Sequence, residues 1–345
     1  MDFGLFVACH RFDESTSTSA VYEQALEMVE LADEAGFRIA WFPEHHLIHY
    51  ISCPSPLMFA VHAASRTRRI RMGTAILVIP YYNPLRLAGE LGMADVLTGG
   101  RLEIGVGRGA FEYEFDRFGI DEKIAAARLR DGMAIVRGLL TQDDFAYTGE
   151  TCSFGPATAV PKPLQSPYPP IWVAARSPDT IKWAIANGYN LLSTPWREPF
   201  SRVEALHAQV QALTAEVKPP ARPRFAVSRM TFVGSTDGEA LDAMRAIQRN
   251  HRLFTGLFTN RADVRSGFAS AEPVGDEFTP EQLLGNLVAG SPETCVDKLR
   301  RYEALGVDHF IMYASFGADH AATMKSLRLF AERVMPHFTA GSAPA

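Results

Sequence analysis

The sequence is short of cysteine, of excess positive charge and of long apolar runs, and each shortage removes a class of function. Its 345 residues hold four cysteines, Cys9, Cys53, Cys152 and Cys295, far apart and without a CxxC pair. That spacing builds neither a zinc ribbon nor a redox couple, and the four read as reduced, buried thiols. With 34 basic against 39 acidic residues the net charge is -5, so there is no basic field to recruit phosphate backbones or anionic lipid. Neither nucleic acid nor a membrane is an expected partner. No apolar run approaches the roughly 20 residues that span a bilayer, and the opening MDFGLFVACHRF lacks the basic-then-apolar order of a secretory signal. A cytoplasmic protein acting on a small molecule is expected. Two motifs are also missing. Without a strand–GxGxxG–helix unit near the start, an open dinucleotide-binding sheet loses support. Without the helical HExxH spacing, a zinc centre built from Glu44, His45, His46 and His49 is the weaker reading, and no metal is expected.

What is present is ample apolar material, 47% of the chain, arranged as short β-rich runs alternating with helical periods. The runs fall at residues 3–8, 39–43, 70–79, 102–106, 171–175, 190–193, 225–233 and 307–313. Helical spacing covers 21–35, 125–140, 178–187 and 200–216 between them. Such alternation is the signature of a parallel sheet covered on both faces. Eight strands fit a (β/α)8 barrel, a TIM barrel, better than an open doubly wound sheet, and one barrel domain over 1–345 is the expected organisation. Gly36 stands where a left-handed cap would end the 21–35 helix, and Ser291, Pro292 and Gly306 punctuate a late one. Between the seventh and eighth strands lies a long stretch, 235–290, whose middle (TGLFTNRADVRSGFASAEPVGDEF) lacks a clear period. It reads as an insertion, either a mobile lid or a plain excursion.

In such a barrel the site forms at the C-terminal ends of the strands. The second strand ends in Phe42-Pro43-Glu44-His45-His46. Adjacent residues of a strand point to opposite sides, so one histidine faces the axis unless the chain turns there. Arg108 lies between Gly107 and Gly109, where the backbone comes close to a ligand and the guanidinium offers paired donors to phosphate. After the fifth strand, Ser177 caps the next helix, Pro178 suits its first position and Thr180 lies in its first turn. Free N–H groups and hydroxyls converge there as in a phosphate cradle. A surface salt bridge for Arg108 and an ordinary helix cap for Ser177 are the alternatives.

Four stretches carry a family resemblance: WFPEHH at 41–46, RMGTAILVIPYYNPLRLAGELGMADVLTGGRLEIGVGRG at 71–109, PPIWVAARSPDTIKWAIANGYNLL at 169–192 and VAGSPETCVDKLRRYEALGVDHFIM at 288–312. Together and in this order they resemble the bacterial luciferase-like family of flavin-dependent monooxygenases, (β/α)8 barrels that use reduced FMN or, in relatives, the deazaflavin F420. The resemblance implies that His45 is the active-site histidine beside the flavin and that His46 is structural. It implies that Arg108, Ser177 and Thr180, with Arg176 and the Ala175 backbone, hold the FMN phosphate. Ala75-Ile76 would be a non-prolyl cis peptide under the flavin ring. Where luciferase carries a reactive cysteine this chain has Gly107, which points away from light emission, removes a thiol and enlarges the space beside the flavin. Tyr81, Tyr82, Phe111, Trp196 and Phe254 are candidate walls of a substrate pocket.

Reduced FMN and O2 would then give a flavin C4a-peroxide that oxygenates a small organic substrate, with His45 handling a proton. Lacking a nicotinamide-binding fingerprint, the chain would receive FMNH2 from a separate NAD(P)H:flavin reductase. The alternatives are an F420-dependent oxidoreductase moving hydride and a non-catalytic flavin-binding protein. The family also implies a homodimer.

Overall fold

The computed structural model describes residues 1–275 and 277–338. Residue 276 of the expected insertion and residues 339–345 of the expected domain lie outside them. Eight strands make a parallel barrel: β1 (Asp2–Phe6), β2 (Ile39–Phe42), β3 (Arg71–Thr74), β4 (Leu102–Gly107), β5 (Ile171–Ala174), β6 (Asn190–Ser193), β7 (Phe225–Val233) and β8 (His309–Tyr313). Each pairs with the next, and β8 returns to β1 with Asp2 opposite His309 and Phe6 opposite Tyr313. This closure decides between barrel and open sheet, because an open sheet would leave two of these strands as edges.

The helices are α1 (Thr18–Ala35), α2 (Pro56–Ser65), α3 (Pro84–Leu97), α4 (Glu112–Phe118), α5 (Glu122–Thr141), α6 (Pro178–Ala186), α7 (Phe200–Val217), α8 (Asp237–Phe258), α9 (Pro280–Asn286), α10 (Pro292–Leu305) and α11 (His320–Leu329). Their limits follow local chemistry. Ser17 Oγ accepts from Ala20 N at the start of α1, and Gly36 ends it at φ 84°. Ser291 Oγ and Pro292 open α10, which stops at Gly306 with φ 92°. Side chains held in this way meet backbone groups that the first and last turns leave free. None of the helices among the described residues is long and apolar enough to cross a membrane.

Along β2 the side chains alternate. Ile39 and Trp41 join Trp172, Leu192, Ala226 and Ile311 inside the barrel, whereas Ala40 and Phe42 pack outward against the helices. Trp41 and Trp172 meet edge to face at 5.6 Å. Trp41 Nε1 donates to His309 Nε2 at 3.0 Å, and Trp172 Nε1 donates to Glu103 at 2.7 Å. Burial lowers the His309 pKa to about 3, so its ring is neutral at physiological pH and free to accept that bond. A Cβ at Gly73 would lie 2.3 Å from the Trp41 ring, so only glycine lets the indole cross the barrel there. This plug fills the N-terminal half of the barrel interior, and a cavity lined by the side chains that follow the strands opens at their C-terminal ends.

Three sequence expectations need revision. Residues 70–79 are not one strand: β3 stops at Thr74, the Ala75–Ile76 bond is cis, and Leu77–Val78 then rejoins β4 with Leu77 opposite Val106. Thr74 Oγ1 takes over the backbone of Gly105, donating to its carbonyl at 2.7 Å and accepting from its N–H at 2.9 Å. The ladder bonds of the main chain give way there. The stretch after β7 is also more regular than its mixed composition suggested. It contains the 22-residue α8, a hairpin pairing Val264–Arg265 with Phe268–Ala269, and α9, whose Thr279 and Gln282 form a capping box. All four cysteines are free, but Cys152 is only half-buried.

Candidate active site

A cavity of about 570 Å³ opens at the C-terminal ends of the strands, a size usual for a small-molecule site. The chain brings His45 to it after β2, Ala75 and Ile76 after β3, Arg108 after β4, and Ala175, Arg176, Ser177 and Thr180 after β5. Trp196, Phe111 and Phe254 complete an aromatic wall, and Tyr313 enters from the end of β8. Tyr81 and Tyr82, expected in that wall, are not among its lining residues. They stand behind it and bond the carboxylates that orient the histidines.

The histidine pair diverges where β2 ends. His45 lines the cavity, its ring stacked on Phe111 at 4.3 Å, and its Nδ1 meets Glu114 Oε1 at 3.0 Å. A carboxylate accepts, so Nδ1 carries the hydrogen and Nε2 is the nitrogen left for a ligand. Glu114, with its side chain only 2% exposed, also accepts from the His46 N–H at 2.8 Å and from the Tyr81 hydroxyl at 3.3 Å. His46 turns away toward Tyr81 and Phe118. Its Nε2 meets Glu44 Oε1 at 2.7 Å, while Glu44 Oε2 accepts from Val78 N at 2.8 Å and from Tyr82 at 3.0 Å. Burial pushes the Glu44 carboxyl up, against the downward pull of these donors. Burial, with Glu114 and Glu44 nearby, holds the Tyr81 and Tyr82 hydroxyls protonated. No cluster of three or more metal-ligating side chains occurs among the described residues.

On the cavity's other side Ser177 Oγ caps α6, accepting from Thr180 N at 3.3 Å and lying 2.9 Å from Thr180 Oγ1. Arg108 pairs at 3.3 Å with Glu122, the first residue of α5, and both side chains are largely exposed. The hydroxyls, the α6 N-terminus and the two arginines 108 and 176 form a donor-rich corner suited to a phosphate, with the acids Glu122 and Asp179 at its edge.

A family model described as a luciferase-like monooxygenase matches residues 1–309. The chain belongs to that family. It is 32% identical to the oxygenase component of a flavin-dependent trigonelline monooxygenase from Acinetobacter baylyi, over 98% of this chain and 96% of that one. Its fold matches a monooxygenase from Streptomyces bottropensis at a TM-score of 0.86 and 26% identity, covering 98% of this chain and all of the other. It also matches the oxygenating constituent of 3,6-diketocamphane monooxygenase from Pseudomonas putida, solved in complex with FMN, at a TM-score of 0.79 and 21% identity over 97% and 98% of the two chains.

In this luciferase-like chain the room expected at Gly107 is already taken. A Cβ there would lie 2.3 Å from Ile76 Cδ1, so the glycine accommodates Ile76 instead of leaving a void. A Gly107→Cys variant must push Ile76 aside. Only the end of the Ile76 side chain has to turn, into the cavity that it lines, so we expect a loss of no more than about 1 kcal/mol, below the usual range for overpacking a closed core, seen as a slightly lower midpoint in denaturant or thermal unfolding. Two functional candidates went unread in the sequence. Glu114 shares the helical stripe of Phe111, Phe115 and Phe118, and an acid on an otherwise aromatic face is the signal that marks it. Tyr313 donates to His10 Nε2 at 2.6 Å, and His10 Nδ1 bonds the Tyr50 carbonyl. Burial lowers the His10 pKa to about 4, which keeps this ring neutral and able to accept.

Proposed function

We propose that the chain, as one barrel domain in the cytoplasm, is the oxygenase component of a two-component monooxygenase that uses reduced FMN and O2 to oxygenate a small organic substrate. One juxtaposition carries the reading: a single cavity joins a phosphate-suited corner at Arg108, Ser177 and Thr180 to a carboxylate-held histidine at His45. Support comes from the relative named as an oxygenase component and from the fold neighbour solved with FMN. By the same analogy a separate NAD(P)H:flavin reductase supplies FMNH2.

Reduced FMN, when bound, supplies the electrons that activate O2. The protein's own residues do the rest. Arg108, Arg176, Ser177 and Thr180 would hold the phosphate, Ala75 and Ile76 would hold the ring, and Phe111, Trp196 and Phe254 would keep water away from it. His45, its Nδ1–H fixed on Glu114, presents Nε2 to hold or pass a proton. The segment 235–290 is the shield: Phe254 and Phe258 of α8 line the cavity, and the 264–269 hairpin is fastened where Gly267 O accepts from His49 N at 2.7 Å. The test is anaerobic titration with FMNH2 followed by mixing with O2. Saturable binding and a transient flavin absorbance before reoxidation are expected. Reduced F420 binding in place of FMNH2 would turn the reading to hydride transfer, and binding without a transient would leave a flavin carrier.

The same reading includes a homodimer. Met93, Val96 and Leu97 of α3 and Met58 of α2 are exposed, as are Val160 and Leu164; α2 packs on α3, and Gly92 of α3 abuts Pro161. An apolar patch of this kind marks an interaction surface. Sedimentation velocity should give a dimer for the natural chain and a monomer for Leu97→Glu, because an isologous contact brings the introduced charge in twice.

A further inference from the structure

The charges that line the cavity are segregated. Arg108, Glu122 and Arg130 come from β4 and α5, and Arg176 and Asp179 from the β5–α6 junction, the segments of the phosphate-suited corner. Glu44 and Glu114 line it too, but both are engaged: Glu44 by His46, Val78 N and Tyr82, and Glu114 by His45, His46 N and Tyr81. None of the lining side chains from β1, β6, β7, β8, α8 or the loop 194–199 is charged. An ionised substrate lying against them would leave its charge unpaired, which is costly in a closed site.

The uncharged side is rich in aromatic rings and begins at the histidine. His45 stacks on Phe111 at 4.3 Å, Phe111 meets Phe254 at 5.3 Å, and Phe254 meets Trp196 at 4.3 Å. All four line the cavity. A ligand's aromatic ring gains more from such a row than a saturated ring of the same size, because aromatic pairs attract beyond the area they bury.

His45 also sets the polar group that the ligand must carry. Its side chain is 20% exposed. Nδ1 is held by Glu114, whereas Nε2 makes no hydrogen bond among the described residues and is not one of the enclosed polar atoms left unmet there. It is therefore open. With the ring hydrogen on Nδ1, Nε2 accepts, so the ligand group beside it is a donor. Ser193 and Thr194 also line the cavity, but a hydroxyl donates or accepts and so does not select. The Tyr313 hydroxyl is taken by His10.

We propose that the substrate class is uncharged phenols, the ring lying along Phe111, Phe254 and Trp196 and the O–H donating to His45 Nε2. This deepens the oxygenase reading and rests on it only in calling the ligand a substrate. The reaction is then ring hydroxylation. His45 draws off the phenolic proton, which enriches the ring in electrons where the oxygen enters, and returns it to the product. O2 takes four electrons, two from the ring and two from reduced FMN; one of its atoms becomes the new ring hydroxyl and the other leaves as water with the two hydrogens of FMNH2.

Calorimetry with phenol, anisole, cyclohexanol and benzoate, and with the corresponding two-ring set built on naphthol, tests the class on the protein with and without FMN. In at least one set the phenol should bind about 3–10-fold more tightly than its methyl ether, as one hydrogen bond predicts, and more tightly than the saturated alcohol and the acid. His45→Phe should erase the preference over the ether and keep the other two. Phe254→Leu should shrink the preference over the saturated alcohol and keep that over the ether. Unfolding midpoints near the natural chain's would show that the variants fold, and the ligand comparison on the natural chain stands without them. With FMNH2 and isotopically labelled O2, the preferred phenol should gain one labelled oxygen. If in neither set the phenol outbinds both its ether and its acid, or if a bound phenol gains no label on protein that consumes FMNH2 and O2, the proposal falls while the flavin reading stands. If the preferences hold but FMN does not bind, the flavin reading falls and the phenol site stands.

Discussion

Replacing His45 with alanine lowers product formation by about 10²–10⁴-fold, the range that a positioned proton-handling group contributes, while affinity for FMN is unchanged. The separation follows from the site's layout. His45 stands against Phe111 and Glu114 after β2, whereas the phosphate-suited groups come from β4 and the β5–α6 junction. The reductant consumed should then appear as hydrogen peroxide instead of product, so the ratio of product to NAD(P)H oxidised is the measurement. Glu114→Gln tests the orienting step. Its amide keeps the shape, but the charge is lost and one acceptor of the buried carboxylate becomes a donor, facing the His45 Nδ1–H, the His46 N–H or the Tyr81 hydroxyl. A smaller fall in coupling is expected, in the same direction. His46→Ala removes the bond to Glu44 but leaves the cavity side untouched, so it should lower stability more than coupling. Equal coupling in the His45→Ala variant and the natural chain would place the proton on another group, and Tyr313 with its partner His10 would be the first to examine.

Periodicity and punctuation made the barrel legible. The alternation of β2 and the glycine and serine caps of α1 and α10 follow from side-chain chemistry within a few residues of each position. The same holds for Ser177 and Thr180, neighbours on one helical turn. What was hidden depends on contacts distant in sequence. Tyr81 ends a short 3₁₀ turn and Tyr82 caps it, so strand alternation does not predict their direction, and they went to Glu114 and Glu44. The strand break at Thr74 depends on a hydroxyl reaching Gly105 on the next strand. Glu114 lies 69 residues from His45, and only the closed barrel shows that the one acid of an aromatic helix face meets that imidazole.

Arg108→Ala should weaken FMN binding by about 10–10²-fold, the loss of a charge-assisted contact of roughly 1.5–3 kcal/mol, and leave riboflavin binding unchanged. Riboflavin lacks the phosphate, so the ratio of the two affinities isolates the corner at Arg108, Ser177 and Thr180 from everything that touches the ring. Ser177→Ala should move that ratio less, because the α6 N-terminus keeps its free N–H groups after the hydroxyl is gone. Glu122 supplies the decisive sign. It pairs with Arg108 at 3.3 Å on an exposed surface, where such a pair contributes little to stability. A bound phosphate would compete with it for the guanidinium and be repelled by its charge. Glu122→Gln should therefore tighten FMN binding, most at low ionic strength where exposed charges are least screened, without altering riboflavin. If Arg108 is only a partner for Glu122, both substitutions leave the FMN-to-riboflavin ratio where it was. Opposite shifts from the two variants would tie the arginine to the phosphate, since removing a cation and removing its competitor act on one contact from opposite sides.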